Sequence, residues 1–309
     1  MNPVISFLVV TDTAETIARL LDALRQQTIR DRLELVIACP SERELELRPE
    51  QVEGIGIVKV VEVAGIAPIE PAQAIAVRTA TAPLFMIGET HAYPAPDALE
   101  VFAAAFDDPS VGGVAPMLEN ANPGSAASWA SLMATYGRSI GGEHRDVELM
   151  SRHNTAYRRE LFDYPGADLA FKLQNGGGAD ADIRARGFRL VYEPAAVLSH
   201  LNVVSLGACL RDRYFSARCY AAARSEGWSR GRRALYLALS PLLPFLLGAR
   251  VMRSTGWAEY RSQMPHGVLL PLAVGLLGTA AGEAAAYARG VGDAKVAITP
   301  YELWRDRYV

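Results

Sequence analysis

The first ninety residues alternate short apolar runs with a helical pattern of apolar positions. Residues 4–10 (VISFLVV) predict a strand, and residues 33–39 (LELVIAC) predict a second one. Between them, residues 14–28 place apolar side chains three or four positions apart, which predicts a helix. A strand, a helix and a strand in this order are typical of a parallel sheet that is buried on both faces.

The alternation continues to residue 108. Two further strands are predicted over 56–63 and 83–88, and two helices over 71–81 and 97–108. Asp97 with Glu100 three residues later predicts a capping box at the start of the last helix. A loop opening into a helix, a strand edge entering a helix, and a glycine-rich loop followed by a helix and a strand are then predicted over 120–139, 151–162 and 174–202. The fold class is therefore α/β.

The composition changes after about residue 206. An arginine- and aromatic-rich helical stretch, 209–233, precedes two apolar runs without formal charge, 234–249 and 267–282. We therefore predict two domains, residues 1–205 and a helical region over 206–309.

The two apolar runs predict contact with a membrane. Each is shorter than the roughly 20 residues that a spanning helix needs, and each contains proline. If both spanned, a connector with Arg250, Arg253 and Arg261 would face away from the cytosol, against the positive-inside tendency. We expect helices that lie in or dip into the inner leaflet, with Trp257 and Tyr260 near the headgroups. The alternative is a soluble helical subdomain or a dimer interface.

Composition restricts the partners and the compartment. The 309 residues are half hydrophobic and carry a net charge of −3, which gives no reason to expect nucleic acid. Three cysteines without a paired motif argue against a disulfide framework or a structural zinc site. The apolar run at the start of the sequence lacks a basic segment and is interrupted at Asp12, so we expect the cytoplasmic face of the cell membrane.

Polar residues follow the predicted strand at 83–88. Glu89 and His91 are two positions apart, so in an extended segment they point to the same side and a single cation can bind both. His200 also follows a strand-like run and offers a third ligand. A polar strand exit, and a structural role for a lone histidine, are the alternatives.

Other polar residues have two interpretations each. His153, Asn154 and Arg158 precede or begin a helical pattern and either meet phosphate or form a solvated face. Asp12 either caps the helix that follows it or accepts a hydrogen bond from a nucleoside, and Arg78 is on a helix surface. Two further residues, Asp180 and Asp182, either supply a general base on a mobile loop or favour a helix N-terminus.

Several short motifs together resemble glycosyltransferase family 2, inverting enzymes with the GT-A fold, from about residue 4 to about 205. The family's Asp-x-Asp motif falls on residues 89–91 when aligned through PAPDALE, and its later segments match NTAYRR (154–159) and YEPAAVLSH (192–200). The resemblance implies a Rossmann-like, mixed and mainly parallel sheet flanked by helices. The C-terminal region resembles membrane-associated members that build cell-surface polysaccharides or glycolipids.

The resemblance also implies a donor site. A nucleotide-sugar would be bound by Thr11, Asp12, Arg78, Glu89, Thr90 and His91, and the acceptor or phosphate by His153, Asn154 and Arg158. The diphosphate leaving group needs charge neutralisation, so a divalent ion on Glu89, His91 and His200 is expected. Nitrogen ligands favour Mn²⁺ over Mg²⁺.

The catalytic base does not transfer directly from the resemblance. The usual acidic segment after the second strand reads ACPS (38–41), and the position expected for the base lies in the glycine run near Gly176. Asp180 and Asp182 are the nearest carboxylates, and Asp168 is more distant.

The sequence thus predicts a membrane-associated transferase that moves a sugar from a nucleotide-sugar to a lipid-linked or glycan acceptor, with inversion. Its partners are the donor, the acceptor and membrane lipid bound through 206–309. A catalytically degenerate scaffold with this fold is the alternative. A nucleotidyltransferase is less favoured, because the chain lacks a glycine-rich, lysine-containing phosphate loop near the first strand.

Overall fold

The strands predicted in the first third lie in one large sheet. The computed structural model describes residues 2–309. Its strands are β1 (Ile5–Val10), β2 (Leu33–Cys39), β3 (Ile57–Glu62), β4 (Leu84–Ile87), β5 (Ala92–Pro94), β6 (Val111–Asn120), β7 (Arg145–Val147), β8 (Ala156–Arg158) and β9 (Arg189–His200). Its α-helices are α1 (Ala18–Arg25), α2 (Glu42–Leu45), α3 (Glu70–Thr79), α4 (Ala98–Ala105), α5 (Ala126–Tyr136), α6 (Asp168–Lys172), α7 (Ala179–Ala185), α8 (Leu206–Arg224), α9 (Arg230–Leu239), α10 (Leu243–Met252), α11 (Thr255–Tyr260), α12 (Leu269–Arg289) and α13 (Ala294–Leu303).

Within residues 2–309 the strands form one sheet in the order β3-β2-β1-β4-β8-β6-β9-β5, with β7 paired to β9. The strands β1 to β4 are mutually parallel, and β8 is antiparallel to both β4 and β6. The predicted mixed and mainly parallel sheet with flanking helices is therefore confirmed. Since parallel strands end at the same edge, β1 to β4 all present their carboxyl ends there.

Two local predictions at helix starts differ from the structure. The helix predicted over 14–28 is shorter at both ends. A turn held by Asp12 precedes it, and it ends at Arg25. The predicted capping box at Asp97 and Glu100 is wrong. The Asp97 side chain makes no capping hydrogen bond, and the Glu100 carboxylate instead accepts one from Thr28 Oγ1 at 2.8 Å.

The chain divides into two compact units. Unit 1 comprises the chain through Glu119 together with Glu143–Gln174 and Gly178–Ser199. Unit 2 comprises Asn120–Gly142, Asn175–Gly177 and His200–Val309. The boundary that we predicted between residues 205 and 206 stays a prediction.

The second unit is helical, as predicted for the C-terminal region. Its longest helices, α8 and α12, pack with little space between their backbones, since a Cβ atom at Gly278 or Gly282 would meet the carbonyl oxygen of Leu210 or Tyr214. Glycine at these two positions is therefore what allows the close approach.

Two segments of the second unit are long and apolar enough to cross a membrane, Arg230–Met252 and Leu269–Arg289. By themselves two such segments do not establish a membrane protein, because a buried core helix has the same length and composition. They differ in burial: 11% of the most apolar part of the first segment is buried, and 56% of the second.

Candidate functional site

The carboxyl ends of β1 and β4 lie side by side in the first unit. Leu8 of β1 pairs with Ile87 of β4 in parallel register. Beyond these ends the chain continues into Thr11 and Asp12 on one side and into the turn of residues 88–91 on the other. Both predicted donor-binding segments are therefore at the same edge of the sheet, where ligands of open α/β sheets bind.

A glycine allows the turn after β4 to approach β1. A Cβ atom at Gly88 would overlap the ring of Phe7, and the Gly88 N–H donates to the Leu8 carbonyl at 2.8 Å. Glu89, Thr90 and His91 follow directly and are 5%, 5% and 2% exposed. The turn therefore places a carboxylate and an imidazole in a largely dehydrated position, where electrostatic interactions are stronger than in water.

Asn154 holds the Glu89 carboxylate in place. Its side-chain amide donates to Glu89 Oε2, and its Oδ1 accepts the Glu89 backbone N–H at 3.2 Å. Its own N–H donates to the Ile87 carbonyl at 2.7 Å. The residue has a φ of 59°, in the left-handed region that asparagine tolerates better than most residues. Asn154 thus fixes both the backbone and the side chain of Glu89.

Two imidazoles approach the other oxygen of this carboxylate. His153 Nδ1 lies 3.2 Å from Glu89 Oε1, and His91 Nε2 lies 3.9 Å from the same atom. The other ring nitrogens are engaged: His153 Nε2 is 3.2 Å from Gln73 Nε2, and His91 Nδ1 is 3.3 Å from Thr90 Oγ1. These contacts orient each ring with one nitrogen towards Glu89, as outer partners do for metal-binding histidines.

The donor atoms of Glu89 and His91 fit a divalent cation. Two ligands each about 2.1 Å from one ion are roughly 3 to 4.2 Å apart, so the 3.9 Å between Glu89 Oε1 and His91 Nε2 is compatible with a shared ion. A carboxylate with an imidazole suits Mn²⁺ and other transition metals better than Mg²⁺, which prefers oxygen.

His200 ends β9 and belongs to the second unit. Its Nδ1 lies 2.9 Å from Asn202 Oδ1, and its ring packs edge-on against Tyr136 at 4.8 Å between centroids. The residue is 1% exposed. Its predicted role as a third metal ligand stays a prediction.

Thr11 and Asp12 make local contacts at the end of β1. Thr11 is fully buried, and its hydroxyl donates to the Thr13 carbonyl at 3.0 Å. Asp12 Oδ1 accepts hydrogen bonds from the Thr13 N–H and the Thr16 hydroxyl, both at 2.8 Å. Asp12 therefore stabilises the turn before α1, and it does not cap the helix itself. Its predicted contact with a nucleoside stays a prediction.

The predicted donor or phosphate ligands Arg78 and Arg158 lie elsewhere in the first unit. Arg158 pairs with Leu84 at the beginning of β4, and Glu89 is five residues further along, or about 16 Å at 3.3 Å per residue. Its guanidinium donates to the carbonyls of Phe106, Asp108 and Val111.

Arg78 is near the end of α3 and donates to the Gly166 carbonyl. A helix that connects parallel strands runs back across the sheet, so its last turn is at the opposite edge from Glu89. The structure therefore does not bring Arg78 or Arg158 to the other predicted site residues.

The two predicted bases have different surroundings. Asp180 is 2% exposed, and it contacts Arg152 at 3.4 Å and accepts the Met150 N–H at 2.8 Å. Asp182 is partly exposed, forms an ion pair with Lys172 and accepts the Tyr164 hydroxyl at 2.9 Å. Burial and this hydrogen bond raise the pKa of Tyr164 to about 12.

Two residues near the site were not predicted from the sequence. Gln73, which contacts His153, is in the first half of α3, where the apolar pattern predicts only a helix. Arg152 links Asp180 to the Tyr157 hydroxyl, to which it donates at 2.6 Å. Because Arg152 is two residues before Asn154, this buried network holds the segment that positions Glu89. No short motif marks either residue.

Solved structures share this architecture. No family model and no curated protein matches the chain. The mannosyltransferase PcManGT from Pyrobaculum calidifontis, solved with GDP-Man and Mn²⁺, is 19% identical with a TM-score of 0.52, over 99% of this chain and 88% of that one. S. aureus TarS 1-349, solved with UDP-GlcNAc, is 13% identical with a TM-score of 0.50, over 93% and 92%.

At these identities the similarity establishes the fold. The chain has the GT-A fold of glycosyltransferases, and its predicted resemblance to glycosyltransferase family 2 is confirmed at that level.

Proposed function

We propose that the chain is a glycosyltransferase that moves a sugar from a nucleotide-sugar donor with the assistance of a divalent ion. The observation that carries the proposal is the Glu89 carboxylate with its two imidazoles, beyond the carboxyl end of β4. Two proteins with the same fold were solved with GDP-Man and Mn²⁺ and with UDP-GlcNAc, which supports a nucleotide-sugar as the substrate class.

Glu89 and His91 would hold the cation, and Mn²⁺ is the ion that we propose. A divalent cation there would neutralise the negative charge of the departing nucleoside diphosphate. Asn154 and His153 hold the Glu89 carboxylate by its two oxygens, so little reorganisation of this side chain is needed when the ion and donor bind.

The neighbouring end of β1 would receive the nucleoside. Asp12 is half-buried at this edge, and its Oδ1 is occupied by the turn it stabilises. A carboxylate accepts several hydrogen bonds, and we propose that Asp12 accepts one from the donor.

For the base we favour Asp182 over Asp180. Arg152 and the Met150 N–H bind Asp180, which is buried, so an acceptor hydroxyl cannot reach it without breaking a buried ion pair. The Asp182 side chain is 39% exposed, and ion pairs at such positions contribute little and break easily. Asp182 would take the proton of the acceptor hydroxyl, whose oxygen would bond to the anomeric carbon as the bond to the nucleoside diphosphate breaks on the opposite face, and this single displacement inverts the configuration.

The acceptor class and location are proposed from the second unit. Its exposed apolar segment Arg230–Met252 favours a lipid-linked acceptor, or a glycan made beside a membrane. The cytoplasmic face is the side that we propose.

The proposal is tested by measuring nucleotide release from a panel of sugar nucleotides, with and without Mn²⁺, on the detergent-solubilised full chain. We expect release from at least one donor, dependent on the metal. Asp182→Asn should reduce turnover by about 100-fold or more while donor binding is retained, because the base acts in the chemical step. Asp163→Asn, which changes an exposed aspartate of the same unit, is the control and should leave turnover unchanged.

A second candidate is a catalytically degenerate protein that binds the donor without transferring the sugar. It is favoured by one observation: both predicted bases already have basic partners, Arg152 for Asp180 and Lys172 for Asp182. Metal-dependent donor binding without nucleotide release from any sugar nucleotide, in the presence of a range of lipid-linked and glycan acceptors, would establish this candidate instead.

A further inference from the structure

Helices α9 and α10 of the second unit share a stripe of exposed apolar side chains. Leu235, Leu239, Leu242 and Leu246 follow one another at intervals of four, three and four residues and are 56%, 46%, 52% and 62% exposed. Such intervals place them on one face of a helix. Phe245, beside them, is 76% exposed. We call these five residues the apolar stripe. A contiguous surface of this kind marks an interaction site.

The charge of the surrounding region identifies the partner. Residues 206–309 contain 14 Lys and Arg against 7 Asp and Glu, whereas residues 1–205 contain 17 against 27. Exposed arginines lie at both ends of the stripe, with Arg230 and Arg232 before it and Arg250 and Arg253 after it. An apolar surface between clusters of arginines is complementary to a bilayer that contains anionic lipid.

We propose that the apolar stripe inserts into one leaflet of an anionic membrane, so that α9 and α10 lie in the plane of the bilayer and do not cross it. The inference rests on the proposed function in one respect, that the protein acts at a membrane. It adds which residues contact lipid and in what orientation.

The contact of α9 with α12 supports an in-plane arrangement, because the Tyr236 ring of α9 packs against the Tyr287 ring of α12 at 5.7 Å between centroids. The 3-10 turn Ser240–Leu242 separates α9 from α10, and Pro241 and Pro244 lie in or next to it. Helix α9, the turn and helix α10 follow one another without a gap over Arg230–Met252, 23 residues or about 34 Å, so length alone would allow the segment to cross the roughly 30 Å hydrocarbon core. The in-plane arrangement therefore follows from the packing of these helices against α12.

The other apolar helix is joined to a charged one. α12 packs against α8 through Gly278 and Gly282, and Glu283 of α12 forms an ion pair with Arg224 of α8 at 2.7 Å. α8 also carries Arg211, Asp212, Arg213 and Arg218. Moving α12 across the bilayer would take these charges into hydrocarbon, at a cost of several kcal/mol. Helices α8 and α12 are therefore placed outside the hydrocarbon core.

Vesicle flotation of the full chain tests the surface. The probes are phosphatidylcholine vesicles with and without phosphatidylglycerol. The double variant Phe245→Glu with Leu246→Glu should lose at least about tenfold in vesicle binding, since two apolar contacts become charged. Leu149→Glu is the control: Leu149 is 45% exposed and belongs to the first unit, and its substitution should change nothing.

Neutralising the arginines tests the lipid charge. Arg250→Gln with Arg253→Gln should weaken binding to the anionic vesicles by about tenfold or more, at roughly fivefold for each arginine. Binding to phosphatidylcholine alone should stay unchanged. Equal binding of the wild-type chain to both vesicle types would overturn the proposed preference for anionic lipid.

Orientation is tested by labelling Ser262→Cys, in the exposed segment between α11 and α12, with a membrane-impermeant maleimide. Labelling above the wild-type level in inside-out vesicles, and not in intact cells, is expected. The reverse pattern would show that the segments span the membrane.

Sedimentation tests the alternative of self-association. Should the Phe245 and Leu246 variant keep its vesicle binding but change from dimer to monomer in sedimentation, the stripe is a contact between copies of the chain and the proposal is wrong.

Nucleotide binding separates this inference from the proposed function. Mn²⁺-dependent binding of nucleoside diphosphates by the Phe245 and Leu246 variant should equal that of the wild type. Normal nucleotide binding with unaltered flotation contradicts the lipid surface alone, and normal flotation without nucleotide binding contradicts the donor site alone.

Discussion

Two buried glutamates at opposite ends of the same sheet have partners of different chemistry. Glu34, near the amino end of β2, is fully buried and is bonded to Ser6, to Thr81 and to Lys59 Nζ at 2.6 Å. Glu89, beyond the carboxyl end of β4, is bonded to Asn154 and approached by two imidazoles. Only the partners of Glu89 include side chains of a kind that binds metal ions, namely the two imidazoles.

This difference in partners indicates that the Glu34 carboxylate stabilises the fold, whereas the Glu89 carboxylate is available to bind a cation. Burial alone would raise the pKa of Glu34, but hydrogen bonds from Lys59, Ser6 and Thr81 lower it from 4.5 to about 2. Its charge is therefore satisfied within the protein. At Glu89 the partners are an amide and two imidazoles, and imidazole nitrogens bind divalent cations, so a cation can complete the arrangement.

The largest effect on donor binding is expected from Glu89, at the carboxyl ends of the parallel strands (the carboxyl edge). Glu89→Gln keeps the shape of the side chain and removes its charge, so metal-dependent donor binding should fall about 1000-fold, or about 4 kcal/mol. The free energy of unfolding should not fall. Both are measured on the same preparation, by calorimetric titration and by urea unfolding. A variant with wild-type affinity would remove Glu89 from the site.

At the amino ends of the strands, substitution of Glu34 should lower stability and leave donor binding unchanged. Glu34→Gln leaves Lys59 without its buried ionic partner and should lower the free energy of unfolding by about 3 kcal/mol. Donor affinity should be unaffected under conditions where the variant is folded. Glu53→Gln, at an exposed position of the same unit, is the control in urea unfolding followed by circular dichroism. Equal stability of the two variants would contradict the structural role of Glu34.

The stabilising role of Glu34 should also be visible in the dependence of the free energy of unfolding on pH. A carboxyl group with a lowered pKa contributes stability that is complete above its unfolded value and is lost as the pH falls through its folded value. For Glu34 that loss occurs between pH 4.5 and about 2. We expect the wild-type chain to lose on the order of 3 kcal/mol more than Glu34→Gln over this window, measured by urea unfolding at each pH. Parallel curves would contradict the assignment.

A smaller effect is expected from the residue that orients Glu89. Asn154→Gly removes the amide and tolerates the φ of 59°. Metal affinity should fall about 10- to 100-fold, the usual range for partners of metal ligands. In the variant that also carries Glu89→Gln, the loss should be no greater than for Glu89→Gln alone. Additive losses would show that Asn154 acts independently of Glu89.

The sheet and the location of Glu89 could be predicted from local patterns. The strands β1, β2 and β4 are largely apolar, interrupted by Ser6 in β1 and Glu34 in β2, and a polar residue after such a run is at the edge of a parallel sheet whatever its partners are. The resemblance to glycosyltransferase family 2 then aligned Glu89 and His91 with a metal-binding motif.

The contacts between distant segments could not be predicted. Glu89 meets His153 and Asn154, which are 64 and 65 residues away in the sequence. The ion pair of Asp180 with Arg152 depends on how α7 packs against the loop before β8. Spacing within a segment carries no information on such contacts. Asp180 and Asp182 were therefore equivalent candidates for the base, and their burial in the structure distinguishes them.

The central claim is that the carboxyl edge binds a nucleoside diphosphate through a divalent ion on Glu89 and His91. Its most direct test is calorimetric titration of the full chain with UDP, GDP and dTDP, each with Mn²⁺ and again after removal of the metal by chelation. We predict binding of at least one nucleotide with Mn²⁺, its loss on chelation, and binding about 1000-fold weaker in the Glu89→Gln variant. Binding that is equal with and without the metal, or no binding of any of the three, would contradict the account.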